Sequence, residues 1–474
     1  MTVTGAMRRG RGLLACMAVI VVCSGVVQGY LTPLLPVVGR RVGVSGVGQN
    51  DLYLLSQLAF AALTPLLSRW GDIHGHRRLL RIAVAMVAGG SLLIAAAPGT
   101  ATLAVGMVSQ GAVVGFFPLL AGILRSRAPE HGRTGMSVLV GALLLSIGVG
   151  GLVAGSLSEE HAFAGLWTAV PFALLALAAA VALPDSTAPR AGRFNTPAAV
   201  LLTVGLAALV LVLAQGGTWG WASARSMAAL AVAVVSLTAW VGVERRSAHP
   251  LVDVGLLRNP RLAVVSAHTF CAAFGTIGFL GANAVFLGAD PDGDGYGLGL
   301  GSQAIALVSL AMVVAGCAGS AATPRLARLV GDRTALAAGG CVGAAGFLLL
   351  VFLHRTLPEY LLGALVVGVA TGMFEAATRT LSAEVVEEAE IALSVGLNEL
   401  ALSLGAAIGA AVIGALFAAH PATGRGVGPA GYLWSWSVCA TVALAGAAVG
   451  LLLRETAAPG RAQAFGPAAS GEAV

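Results

Sequence analysis

Apolar runs of about twenty residues recur from one end of the chain to the other, separated by short gaps rich in Arg, Gly, Pro or Asp. Roughly 20 residues of helix cross a ~30 Å hydrocarbon layer. In lipid, backbone polar groups must be satisfied internally, so spanning segments are helices or closed barrels. The runs are continuous rather than alternating, which excludes the barrel. The pattern predicts an all-α polytopic membrane protein with fourteen spans near 13–38, 50–69, 80–98, 101–124, 135–156, 163–183, 198–215, 226–244, 261–288, 302–322, 335–353, 359–383, 391–418 and 432–453, with ends good to ~2–4 residues.

Composition agrees. Of 474 residues, 57% are hydrophobic and only 10% charged, against about 25% charged in a soluble domain. All 27 basic residues are arginines, and they sit in the gaps. An even number of spans puts both termini on one side, and the basic excess of cytoplasmic loops identifies that side. With the termini inside, only Arg40, Arg41, Arg225, Arg355 and Arg425 lie outside, leaving 22 of the 27 in the cytoplasm. The net charge of +6 therefore reflects topology rather than a nucleic-acid partner. Six cysteines lie in or beside apolar segments without metal or pairing spacing. The start of the chain, with arginines before an apolar stretch and a Leu13-Leu14-Ala15-Cys16 box, imitates a lipoprotein signal. The apolar stretch follows the cysteine instead of preceding it, so an uncleaved first span is expected.

The chain also repeats. Pro65-Leu66-Leu67-Ser68-Arg69 and Pro324-Arg325-Leu326-Ala327-Arg328 share the pattern P-x-L-x-R, each closing a span before a short basic loop. Aligning them matches spans one to six with nine to fourteen. The predicted organisation is a six-helix bundle over 1–183, a linker with two extra spans over 184–250, a second bundle over 251–453 and a disordered cytoplasmic tail over 454–474. Such internal symmetry marks transporters whose substrate site lies between the repeats.

The loop after the second span holds Asp72, Gly75, Arg77 and Arg78. Further on come QGGTWGW (Gln215–Trp221), HPLVDVGLLRNPR (249–261), GYGLGLG (295–301) and GLNELALSLGAAIGAAVIGALF (Gly396–Phe417). With these motifs in order, the chain resembles the major facilitator superfamily, specifically its fourteen-helix drug:proton antiporter branch. The resemblance implies secondary active transport by alternating access, with proton-driven efflux of small amphipathic compounds. It further implies a plasma-membrane protein with no cofactor, no metal and no catalytic residues, acting as a monomer. Two family signatures are altered. Met107 stands where the branch has an arginine before Gln110-Gly111, and Leu152 replaces the proline of a Gly-Pro pair at Gly151. The alternatives left open are a symporter or facilitator on the same fold, or a non-transporting membrane sensor or enzyme.

Rocking bundles need a seal on the cytoplasmic side. The conformational gate is assigned to Asp72, Gly75, Arg77 and Arg78, with Arg81, facing Glu387 and Glu388 of the acidic loop Glu384–Glu390. The same glutamates also suit the N-terminal dipole of the thirteenth span, so both readings stand. Ionisable groups inside spans mark pathways by default. Glu375 and Arg379, four apart, make either a local ion pair or part of a proton path. Glu399, ~12 Å into its span at 1.5 Å per residue, has no cation on its own helix and is the stronger proton carrier. Asp51 reads as an N-cap. Gln28, Gln110, Phe117, Asn283 and Asn398 are candidates to line a substrate cavity, with Gln57, Phe116 and Phe374 beside them; each also suits interhelical packing. Asp290–Gly295 begins like a calcium loop, but Gly301 occupies the position that needs a bidentate glutamate.

Overall fold

The computed structural model describes residues 3–31, 34, 38, 42–43, 46–96, 99–127, 132–157, 161–183, 193–248, 250–251, 255–289, 291, 296–386, 391–420 and 427–454. Among these, helices follow one another as α1 (Val3–Gly29), α2 (Gly46–His74), α3 (His76–Ala96), α4 (Thr100–Gln110), α5 (Phe116–Arg127), α6 (Gly132–Gly155), α7 (Ala169–Ala182), α8 (Thr196–Trp219) and α9 (Ala224–Arg246). The order continues with α10 (Pro260–Thr276), α11 (Leu280–Gly288), α12 (Ser302–Val330), α13 (Asp332–Phe352), α14 (Leu357–Glu384), α15 (Ile391–Ala419) and α16 (Pro429–Gly450). A five-residue 3-10 turn, Gly111–Gly115, joins α4 to α5.

Twelve segments are long and apolar enough to cross a membrane among the described residues. The other two predicted spans fall differently. Residues 50–69 lie within α2, which also carries Asp51, Gln57, Arg69 and Asp72. Residues 261–288 are divided between α10, 17 residues long, and α11, 9 residues long. At the break, Gly278 lies against the backbone of Gly409 and Ala410 on α15. The lipoprotein-like cysteine, Cys16, sits mid-helix in α1.

Glycine lets these helices touch backbone to backbone, as expected where lipid-solvated helices pack through small residues. On α1 and α6, a Cβ at Gly29 would strike the Ile147 carbonyl, and one at Gly150 would lie 2.8 Å from the Val26 carbonyl oxygen. Helices α10 and α15 meet in the same way, with Gly405 and Gly409 against the carbonyls of Phe270 and Phe274. The pairing of α3 with α7 is likewise matched by α13 with α16. Two turns repeat as well: α2 ends at Gly75 (φ 92°) and α12 at Gly331 (φ 85°). Only glycine enters that left-handed region without steric cost, and each glycine lets the next helix start at once.

Buried apolar residues form separate clusters. One gathers α1–α7, from Leu13 to Leu183, and takes in Val395 of α15. A second gathers residues from Phe274 to Ala440. The α8–α9 hairpin joins a third with Ala61 of α2 and Leu397 and Leu400 of α15. Its outer helix exposes Met227, Val232, Val234 and Val235, a surface suited to lipid.

Candidate functional site

Helix α14 places Glu375 and Arg379 on one face, four residues apart and therefore a turn apart. Arg379 Nη1 donates to Glu375 Oε2 at 2.5 Å. Its remaining donors turn to the neighbouring helix: Nε donates to Glu399 Oε1 at 2.6 Å and Nη2 to Glu399 Oε2 at 3.2 Å. The planar guanidinium fork matches a carboxylate in this two-point fashion, which an ammonium cannot reproduce. All three side chains are buried, at 5%, 4% and 2% exposure for Glu375, Arg379 and Glu399. Arg379 therefore bridges two helices and does not run out to the end of its own.

One face of the guanidinium is covered by α5. Phe117, on α5, stacks with its ring centroid 4.7 Å from Arg379 Cζ. Helix α5 also packs on α15, α6 on α14 and α2 on α15. The last is very close: a Cβ on Gly396 would lie 2.6 Å from Ser68 Oγ. On another side, Cys317 Sγ of α12 donates to the Gly141 carbonyl of α6 at 3.3 Å.

Charge decides what this cluster can do. Two carboxylates and one guanidinium leave one surplus negative charge, and a lone buried charge is strongly disfavoured. One proton makes the set neutral. Among the described residues, the other buried side chains of formal charge are Asp72 and Glu244. Glu244 accepts from the Leu251 amide and from Trp240 Nε1, fastening the end of α9 to the following loop. No cluster of three metal-ligating side chains occurs among the described residues.

The remaining expected site residues are dispersed. Asp72 is buried and accepts from His76 Nε2 at 3.1 Å across the Gly75 turn. Arg77 Nη2 donates to the Val181 carbonyl at 2.9 Å, and Arg81 reaches the Ala180 and Val181 carbonyls. Cations at the C-terminal end of a helix meet its unpaired carbonyls there; Arg78 is exposed. Glu387 and Glu388 lie outside the described residues, as do the side chains of Asp51 and Gln57 and most of the 290–295 turn. Gln28 is half-buried on α1. Gln110 donates to Tyr30 Oη at 3.0 Å and to Ser91 Oγ at 2.9 Å, a network internal to the first bundle. Asn283 accepts from the Tyr360 hydroxyl. Asn398 accepts from Thr269 Oγ1 at 2.6 Å, while its Nδ2 is buried with no partner among the described residues. Met107 lies in the first bundle's core, and α6 runs unbroken through Gly151 and Leu152.

Two features escaped sequence reasoning. The link from Arg379 to Glu399 joins residues 20 positions apart on different helices, which spacing alone does not reveal. An aromatic cluster surrounds Phe286, drawing Tyr296, His354, Tyr360, Tyr432 and Trp436 from separate segments. Tyr296, in the loop before α12, bonds His354 Nε2 at 2.6 Å. Burial, with the neighbouring Tyr432 adding to it, pushes the Tyr296 phenol up to about 12.

The family model described as Major Facilitator Superfamily matches residues 17–281 and again 265–471. The chain belongs to this superfamily. Membership makes it a multi-pass membrane transporter rather than an enzyme. The multidrug resistance protein Stp of Mycobacterium tuberculosis is 26% identical over 398 residues, covering 81% of this chain and 72% of that one. The multidrug efflux pump LfrA of Mycolicibacterium smegmatis is 28% identical over 450 residues, covering 92% and 86%. The crystal structure of the human organic anion transporter MFSD10 aligns with a TM-score of 0.68 over 93% of this chain and 99% of that one. At 17% identity this last likeness speaks to the major facilitator fold alone.

Proposed function

We propose that this transporter exports small amphipathic organic compounds in exchange for protons, by alternating access between two bundles. The observation that carries the reading is the buried Glu375–Arg379–Glu399 cluster with one carboxylate in surplus, set where the bundles meet. A buried set that is neutral with one proton and charged without it changes its burial cost on titration. Binding one proton thereby favours the arrangement in which the cluster is shut away from water. The direction of transport rests on relatives described as multidrug resistance and efflux proteins.

The same reading takes fourteen spans, counting α2 and the α10–α11 pair with the twelve. It divides the chain into bundles over 1–183 and 251–453 with the α8–α9 pair between, puts both termini in the cytoplasm of a plasma-membrane protein, and has a single copy do the work. It takes Gln28, Gln110, Phe117, Asn283 and Asn398 as cavity candidates. Asp72, Gly75, Arg77 and Arg78 form the cytoplasmic gate with Glu387 and Glu388. Exposed ion pairs contribute only ~0–1 kcal/mol, enough to bias a balanced equilibrium between two states.

Efflux from energised vesicles across a panel of amphipathic compounds, with and without a protonophore, tests the reading. Wild type should export in a protonophore-sensitive manner, and Glu399→Gln should lose that sensitivity. Export that ignores the protonophore in wild type, or full coupled activity in Glu399→Gln, refutes proton coupling through this cluster.

A further inference from the structure

We propose that Phe117 is a positioning residue for proton coupling, a ring lent by the first bundle that holds and covers Arg379 and so keeps the carboxylates shut off from water until the bundles move. The inference rests on the proton-coupling reading above. Its evidence is geometric. Among the described residues, the guanidinium makes its in-plane contacts within the second bundle, to Glu375 and Glu399. The described group on its face, the Phe117 ring at 4.7 Å, belongs to the first bundle. A cation over an aromatic face is attracted by the ring's quadrupole, and more so when water is excluded. Phe117 itself is only 6% exposed, so separating the bundles at this level must uncover ring and guanidinium together.

The local backbone offers a way to remove the ring. Phe117 is the second residue of α5, directly beyond the 3-10 turn Gly111–Gly115. Glycines at both ends of that turn lie against α2: a Cβ at Gly111 would sit 2.6 Å from the Ala59 Cβ, and one at Gly115 2.5 Å from Leu67 Cδ1. The narrower 3-10 form thus lets α2 approach. A 3-10 helix turns about 120° per residue and an α-helix about 100°. Relaxing these five residues to α-helix swings Phe117 by about 100° relative to α4 and shortens the segment by about 2.5 Å. A change confined to this turn therefore takes the ring off Arg379. Helix α2 is also the element that meets α15 at Ser68 and Gly396, so movement between the bundles reaches the turn directly.

The test uses full-length protein in liposomes loaded with the pH dye pyranine, given a step in external pH with no transported compound present. Wild type should hold the step. Phe117→Leu should dissipate it several-fold faster, and Phe117→Tyr, which keeps the ring, should hold it. The discriminating variant is Phe117→Leu combined with Glu399→Gln. If the ring acts through the cluster, removing the proton carrier stops the leak. A leak that persists in the double variant, or Phe117→Leu as tight as wild type, overturns the proposal. Should the leucine variant fail to fold, Phe117→Met removes the ring at similar volume and carries the same expectations. Because no transported compound is present, this result is independent of the vesicle efflux that tests proton coupling itself.

Discussion

The two bundles share a scaffold and differ in their interior chemistry. In the first, the polar centre is Gln110 with Tyr30 and Ser91, three neutral groups satisfying one another. Met107 nearby is part of an apolar core. In the second, the centre is charged and uneven, with one arginine between two glutamates. Yet α1 with α6 and α10 with α15 use the same glycine-mediated backbone contact. Backbone packing sets the architecture and can be duplicated unchanged, while a few side chains confine the buried charge cluster to one copy. In the proposed mechanism, coupling passes between the two sets of helices, and Phe117 on Arg379 is a contact where it can pass.

The comparison breaks most severely at Arg379. Arg379→Met leaves two buried carboxylates without their cation, and removing one partner of a buried pair costs about 3–5 kcal/mol. Thermal unfolding in detergent should show a large loss of folded protein. Arg379→Lys should recover charge but not the two-point grip on Glu399. A mild effect of Arg379→Met would mean the cluster is wetter than its burial indicates.

Next come the glycine contacts that make the bundles alike. Gly29→Val and Gly409→Val each push a side chain into a facing carbonyl, of Ile147 and Phe274 respectively. Overpacking typically costs about 1–3 kcal/mol. Equal losses in the two variants, measured by the same unfolding assay, support equivalent scaffolds; a loss in only one separates them.

Smaller effects sharpen the chemical difference. Gln110→Leu should cost about 1 kcal/mol through the lost hydrogen bonds and leave proton-dependent efflux intact, since the first bundle's polar centre does not titrate. Loss of coupling in Gln110→Leu would move the proton path into the first bundle.

The least effect is expected at Tyr296, whose bond to His354 ties the loop before α12 to the aromatic cluster. Tyr296→Phe should cost about 1 kcal/mol. The folded phenol holds its proton to about 12, above the ordinary value near 10. Its contribution is therefore fully present below about pH 10 and disappears as pH rises from there toward 12. Stability of wild type minus Tyr296→Phe should stay flat from pH 8 to 9 and fall as pH rises beyond 10; a slope between 8 and 9 contradicts the assignment.

Much of this was readable in the linear pattern. In lipid, apolar length alone marks a helix, so twelve of the fourteen expected segments reappear as candidate spans among the described residues, while 50–69 and 261–288 do not. At the break in 261–288, Gly278 meets α15, a helix more than a hundred positions away. Glu375, Arg379 and Glu399 stood out because charge inside an apolar run is rare. Their mutual geometry did not, because a partner on another helix leaves no spacing signal. The i, i+4 spacing of Asp72 and His76 is visible in the sequence, and the two side chains bond. Phe117 was one of several aromatic candidates, and its role depends on the rotation set by a 3-10 turn that periodicity over so few residues cannot register.

Distances between paired spin labels across the Asp72 end and across the opposite end, followed as pH is varied, bear most directly on the proposal that a titrating cluster drives motion between bundles. In wild type, one end should open as the other closes when the pH changes, and Glu399→Gln should hold one arrangement at every pH. Both ends moving together, neither moving, or Glu399→Gln responding like wild type would contradict it.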